Sequence, residues 1–151
     1  MSDIITKSDM FSMFSSDGTC IKVNKECSKL STIIKIMMET NENEDENEDE
    51  DDNEIHLELI DTSTLEKIKL FFELYSHEAM IEIERPLRTL DTNIQKEYND
   101  YIDVNLDALM KLMVASNYLD IQPLYDLSCA KIASLIKGKT PSEIKYFFNI
   151  D

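Results

Sequence analysis

Glycine is almost missing from this sequence: 151 residues contain two, Gly18 and Gly138. A phosphate-cradling loop needs clustered glycines so that backbone N–H groups can converge on the ligand, and two distant ones build none. Tryptophan is absent, and no stretch approaches the roughly 18 apolar residues of a membrane span. Cysteine is scarce and odd in number, at Cys20, Cys27 and Cys129. No pair has the short spacing of a zinc half-site, and a disulfide framework is not expected from three thiols. The two histidines, His56 and His77, are too far apart to ligate from one helical face. Without a readable constellation of nucleophile, base or metal, the chain is expected to be non-enzymatic, with no cofactor. The start carries Asp3 and no basic, apolar signal region, so a reducing location in cytoplasm or nucleus is expected.

Basic residues are also few. Fifteen Lys and Arg face 31 Asp and Glu, a formal net charge of −16. Nucleic acid needs a basic surface, so no nucleic-acid partner is expected. The acidity is concentrated. Ten of the thirteen residues from Glu42 to Glu54 are acidic and the rest are Asn; without them, 21 acids face 15 bases. Such a run repels itself and has nothing apolar to bury, so residues 42–54 read as a solvated, disordered loop.

What is present is an α+β pattern, a small sheet covered by helices. Met10 to Phe14 and Cys20 to Val23 flank Ser15-Ser16-Asp17-Gly18, a hairpin signal, because Gly accepts positive φ. Leu30, Ile33, Ile34 and Met37 form a helical stripe that Ser28 or Ser31 can cap. Ile55 to Leu59 alternates like a short strand, with His56 on its polar face. Thr62 to Tyr75 reads as a helix with Leu65, Ile68, Phe72 and Tyr75 in line. Met80 to Ile83 alternates like a strand, and a charged helix is expected from about residue 91 to 101.

Asn105 to Tyr118 is a further helix, with Leu106, Leu109, Met110 and Met113 on one face. The next element runs to about Lys137, and Gly138 sits where a left-handed C-cap belongs. Thr140-Pro141-Ser142-Glu143 then combines a cap threonine, proline at the first helical position and glutamate at the third, a capping box. The helix before Gly138 carries two apolar stripes. Tyr125, Cys129, Ile132 and Ile136 make one; Leu124, Leu127 and Leu135 make the other. One stripe can serve the domain's own core, and the second needs another cover, either local or a partner.

Several runs are recognisable together. Leu112-Met113-Val114-Ala115-Ser116-Asn117-Tyr118-Leu119-Asp120-Ile121, Ile136-Lys137-Gly138-Lys139-Thr140-Pro141-Ser142-Glu143-Ile144 and Phe148-Asn149-Ile150 resemble, in order and spacing, segments of the S-phase-kinase-associated (Skp) adaptor family. Upstream, the Ser15-Ser16-Asp17-Gly18 turn and Ile34-Lys35-Ile36-Met37 resemble the same family, whose members also carry an acidic loop. The resemblance implies a BTB/POZ-like core over residues 9–118, followed by additional C-terminal helices over 119–151 that bind F-boxes. It implies a non-catalytic adaptor of an SCF-type cullin-RING E3 ubiquitin ligase. Asn117 and Tyr118 would face the cullin scaffold; Tyr125, Cys129, Ile132, Ile136, Ile144 and Phe148 would face F-box substrate receptors. A homodimer through the BTB core is a further implied option. In that family a last helix follows the position of Ile150, and this sequence reads either as a short form without it or as one whose end is not included. Pro123 and Tyr125 depart from the family's usual residues, which implies altered receptor choice. The alternative is a cullin-binding decoy, or an elongin C-like module, without productive F-box binding.

Overall fold

The computed structural model describes residues 10–44, 54–82 and 94–148, without the side chains of 27, 28 and 40–44. Strands β1 (Met10–Phe14) and β2 (Cys20–Asn24) form the expected hairpin. Gly18 sits at φ +80° in its turn, a conformation that would strain a side chain. Strand β3 (Glu54–His56) pairs parallel with β1 on the side away from β2, giving the order β2-β1-β3. Phe11 and Met13 pair with Val23 and Ile21, and Met13 with Ile55. All five are buried on one face, as the period-two pleat requires.

Six α-helices are found among the described residues: α1 (Thr32–Glu44), α2 (Thr62–His77), α3 (Lys96–Ile102), α4 (Leu106–Tyr118), α5 (Gln122–Ile136) and α6 (Pro141–Phe147). A short 3₁₀ turn (Cys27–Leu30) precedes α1. The capping residues explain the starts. Ser31 Oγ accepts from Ile34 N at 3.1 Å, Asp61 Oδ1 from Thr64 N at 2.9 Å, and Asn105 Oδ1 from Ala108 N at 2.8 Å. Thr140 Oγ1 accepts from Glu143 N at 3.2 Å, and Gly138 ends the preceding turn at φ +81°.

One core joins the sheet to the helices. Phe71 on α2 is its hub, with the rings of Tyr75, Tyr98 and Tyr101 at 6.0, 5.9 and 5.6 Å. The two buried tyrosines keep polar partners: Tyr101 Oη donates to the Lys67 carbonyl at 2.6 Å, and Tyr98 Oη donates to the Glu78 carbonyl. Leu119, Ile121, Leu124 and Leu127 belong to the same cluster, so α5 is seated on the sheet–helix core.

The structure revises several expectations. The third strand ends at His56 rather than Leu59. Leu57 N still donates to Phe14 O at 2.8 Å, but Ile60 N turns back to Leu57 O at 3.1 Å, which throws Leu59 outward at 79% exposure. Residues 80–82 form no strand; Ile81 N instead donates to the Gln95 side chain at 2.8 Å, and residues 83–93 lie outside those described. Helix α3 begins at Lys96. Of the acidic run, residues 42–44 continue α1 and Glu54 opens β3, while 45–53 lie outside the described residues. On α4 the buried face is Leu109, Leu112, Ala115 and Ser116, with Leu106, Met110 and Met113 only half-buried. The face is set by packing against α2 and α5.

Candidate functional site

Two apolar surfaces occupy consecutive helices. The first lies on α4. Its buried side chains point into the core, which leaves Met110, Val114 and Tyr118, spaced by four, on another face. Val114 is 62% and Tyr118 44% exposed. The outward turn at Leu59 brings an opposing wall. Between them runs a groove of about 540 Å³ whose lining includes Leu59, Ile60, Met110, Val114, Ala115 and Tyr118. Leu59, Val114 and Tyr118 are large apolar side chains held in water, an arrangement that costs solvation unless a partner covers them.

The groove's charged end is ordered. Lys111 Nζ lies 3.2 Å from Asp61 Oδ2 and 3.5 Å from Asp107 Oδ2. Hydrogen bonds from Thr64, with help from Lys111, pull the Asp61 carboxyl down to about 2. The hydrogen bond to Asp61 and the field of Asp107 raise the Lys111 ammonium in turn. The opposing loop is fixed from the hairpin: Asp17 Oδ2 accepts from Thr62 N at 3.2 Å and Thr62 Oγ1 at 2.9 Å, and Ser16 N donates to Ile60 O at 2.8 Å.

The second surface lies on α5. Leu124, Leu127, Ser128 and Ala130 are buried, so the domain's own core takes that side. Tyr125, Cys129, Ile132 and Ile136 are all half-buried, although Ile132 also packs against the core. Hydrogen bonding with the Cys129 thiol raises the Tyr125 phenol, so the two side chains meet on that stripe. Helix α6 carries Ile144, and Phe148 caps its end; both are half-buried, and the helix has no fully buried residue, with its Tyr146 89% exposed.

The sequence-derived residues therefore separate. Tyr118 lines the groove; Asn117 is exposed and does not. Tyr125, Cys129, Ile132 and Ile136 form one stripe, with Ile144 on the next helix and Phe148 at its C-cap. No residue of α5 or α6 lines the groove. Sequence reasoning missed Leu59, Val114 and the Asp61–Lys111–Asp107 array. The four-residue spacing of Met110, Val114 and Tyr118 was a visible signal; the exposure of Leu59 was not, because it depends on where β3 stops.

Comparison with known proteins bears on these surfaces. The chain is 37% identical over 143 residues to the S-phase kinase-associated protein 1 homolog of Tetrahymena thermophila, covering 91% of this chain and 80% of the relative. The chain belongs to the Skp1 family. The profile described as "Skp1 family, dimerisation domain" matches residues 122–151, the region of α5 and α6. The SCF ubiquitin ligase complex protein SKP1a of Dictyostelium discoideum is 34% identical over 139 residues, covering 90% of this chain and 80% of the relative. The SKP1-like protein 12 of Arabidopsis thaliana is 31% identical over 144 residues, with 95% and 86% covered. Membership fixes the α+β, BTB/POZ-like reading of the fold, with its small sheet covered by helices.

Proposed function

We propose that this Skp1-family protein is a non-catalytic adaptor of an SCF-type cullin-RING ubiquitin ligase, joining a cullin scaffold to F-box substrate receptors. The observation that carries it is the pair of separate apolar surfaces on α4 and α5, within a family whose members are named as SCF complex proteins. An adaptor acts by proximity: it holds receptor and scaffold in one assembly and so removes the entropy cost of their encounter.

In this reading the cullin docks at the groove, with Tyr118, Val114 and Leu59 as anchors and Asn117 at its edge. F-boxes cover Tyr125, Cys129, Ile132 and Ile136, with Ile144 and Phe148 extending the contact. A tyrosine such as Tyr118 suits an anchor because its ring buries area while its hydroxyl keeps a polar partner. The division at residues 118/119 is then one of function, since α5 shares the core of the preceding residues. An intracellular, reducing location belongs to the same proposal, with free thiols at Cys20 and Cys129 in its favour. The decoy or elongin C-like alternative is not favoured, because the family match falls on the C-terminal block that such modules lack. Co-elution of the purified chain with a cullin N-terminal domain and with F-box domains tests the proposal; failure of both across a broad panel would overturn it.

A further inference from the structure

Two hollows meet at Lys111. The first is the groove ending at Tyr118, about 540 Å³. The second, about 340 Å³, is lined on its far side by Ser63, Lys67, Val104, Asn105 and Ala108. Thr64, Asp107 and Lys111 line both. Lys111 starts on α4, and its Nζ reaches 3.2 Å from Asp61 Oδ2 on the N-cap of α2 while keeping Asp107 Oδ2 at 3.5 Å. The side chain thus crosses from one wall to the other and partitions the space between α2 and α4. Asp61 is anchored in turn by Thr64 N at 2.9 Å.

The charge on the groove side is unbalanced. Glu58, Asp61 and Asp107 line it against Lys111 as its one ammonium, among the described residues. Lys111 already faces two of those carboxylates. A segment entering over Leu59, Val114 and Tyr118 therefore meets apolar walls and a net-negative rim. An acidic neighbour beside its apolar anchor would be repelled there, and a basic one attracted.

We propose that Lys111 is the specificity-determining residue of this groove: it closes the groove at the Asp61 end and, held between two carboxylates, leaves a rim that selects a scaffold segment with an apolar anchor beside a Lys or Arg. The inference rests on the reading of the Tyr118 face as the cullin-docking surface. It is tested on the full chain with a cullin N-terminal domain, by titration calorimetry at about 50 mM and about 300 mM salt. Lys111→Met keeps the stem and removes the charge; it is expected to tighten binding roughly two- to fivefold at low salt. Glu58→Gln is expected to weaken binding by a similar factor, and both differences shrink at high salt. An F-box domain binds all three proteins alike. Weaker binding by Lys111→Met, tighter binding by Glu58→Gln, equal weakening of both variants independent of salt, or no change at low salt would overturn the inference while leaving the docking surface intact. A wild-type chain that binds F-boxes but no cullin would overturn the docking surface and the inference together.

Discussion

Ser31 donates its Oγ–H to the carbonyl of Leu119 across 2.6 Å, and this bond ties the start of α1 to the joint between α4 and α5. The backbone adds to it: Thr32 N and Ile33 N donate to Asp120 O and Leu119 O, each at 3.4 Å. Asp120 holds that joint at φ +53°, a left-handed conformation that Asp tolerates better than bulkier residues. The joint separates the two proposed docking helices. Ser31→Ala removes a buried donor and a helix cap together, and it is expected to cost about 1–3 kcal/mol in urea unfolding. A loss below about 0.5 kcal/mol would show that the backbone contacts hold the joint alone.

Asp61 contributes an acid-sensitive component of stability. Its folded carboxyl is lowered from 3.8 to about 2, by hydrogen bonds from Thr64 first and by Lys111 second. A depressed carboxyl stabilises the fold above its unfolded value, and that stability is lost as pH falls through the folded value. The window is therefore about pH 4 down to about pH 2. Asp61→Asn keeps a capping oxygen and should flatten the acid limb of a stability–pH curve; Asp61→Ala should also cost about 1 kcal/mol at neutral pH. An unchanged acid limb in Asp61→Asn would refute the assignment.

The two surfaces should be separable by mutation. Tyr118→Ala is expected to weaken cullin binding by about 2 kcal/mol with F-box binding and melting temperature nearly unchanged, because the side chain is already 44% exposed. Ile136→Glu should do the converse, abolishing F-box binding and sparing cullin. Calorimetry with each partner decides it; a variant that weakens both partners would place the two surfaces in one.

Much of this arrangement is legible in the residues themselves. The Asp17-Gly18 turn, the Thr140 cap and Gly138 at the end of α5 are local devices, and local devices act through chemistry visible in a few consecutive residues. The stripe of Tyr125, Cys129, Ile132 and Ile136 is likewise readable from helical spacing. What is not readable depends on contacts distant in sequence. Leu59 is thrown outward because β3 ends at its pairing with β1, and Lys111 meets Asp61 only because α4 lies against α2. The buried face of α4 is turned from the expected one for the same reason: its neighbours, and not its own periodicity, choose between Met113 and Ala115.

Helix α6 should be the least stable of the described helices, since none of its residues is fully buried and its start leans on Thr140. Thr140→Ala is expected to cost about 1 kcal/mol locally. Amide exchange over residues 141–147 should quicken several-fold while the core strands keep their protection. Equal quickening throughout would mean that α6 unfolds only with the whole domain.

The adaptor account stands or falls on simultaneous occupancy. The decisive measurement is the mass, by light scattering after size exclusion, of the wild-type chain mixed with an F-box domain and a cullin N-terminal domain. The account predicts one species with a single copy of each component, reduced by Tyr118→Ala to the F-box pair and by Ile136→Glu to the cullin pair. Mutually exclusive binding of the two partners, or a chain that binds neither, would contradict it.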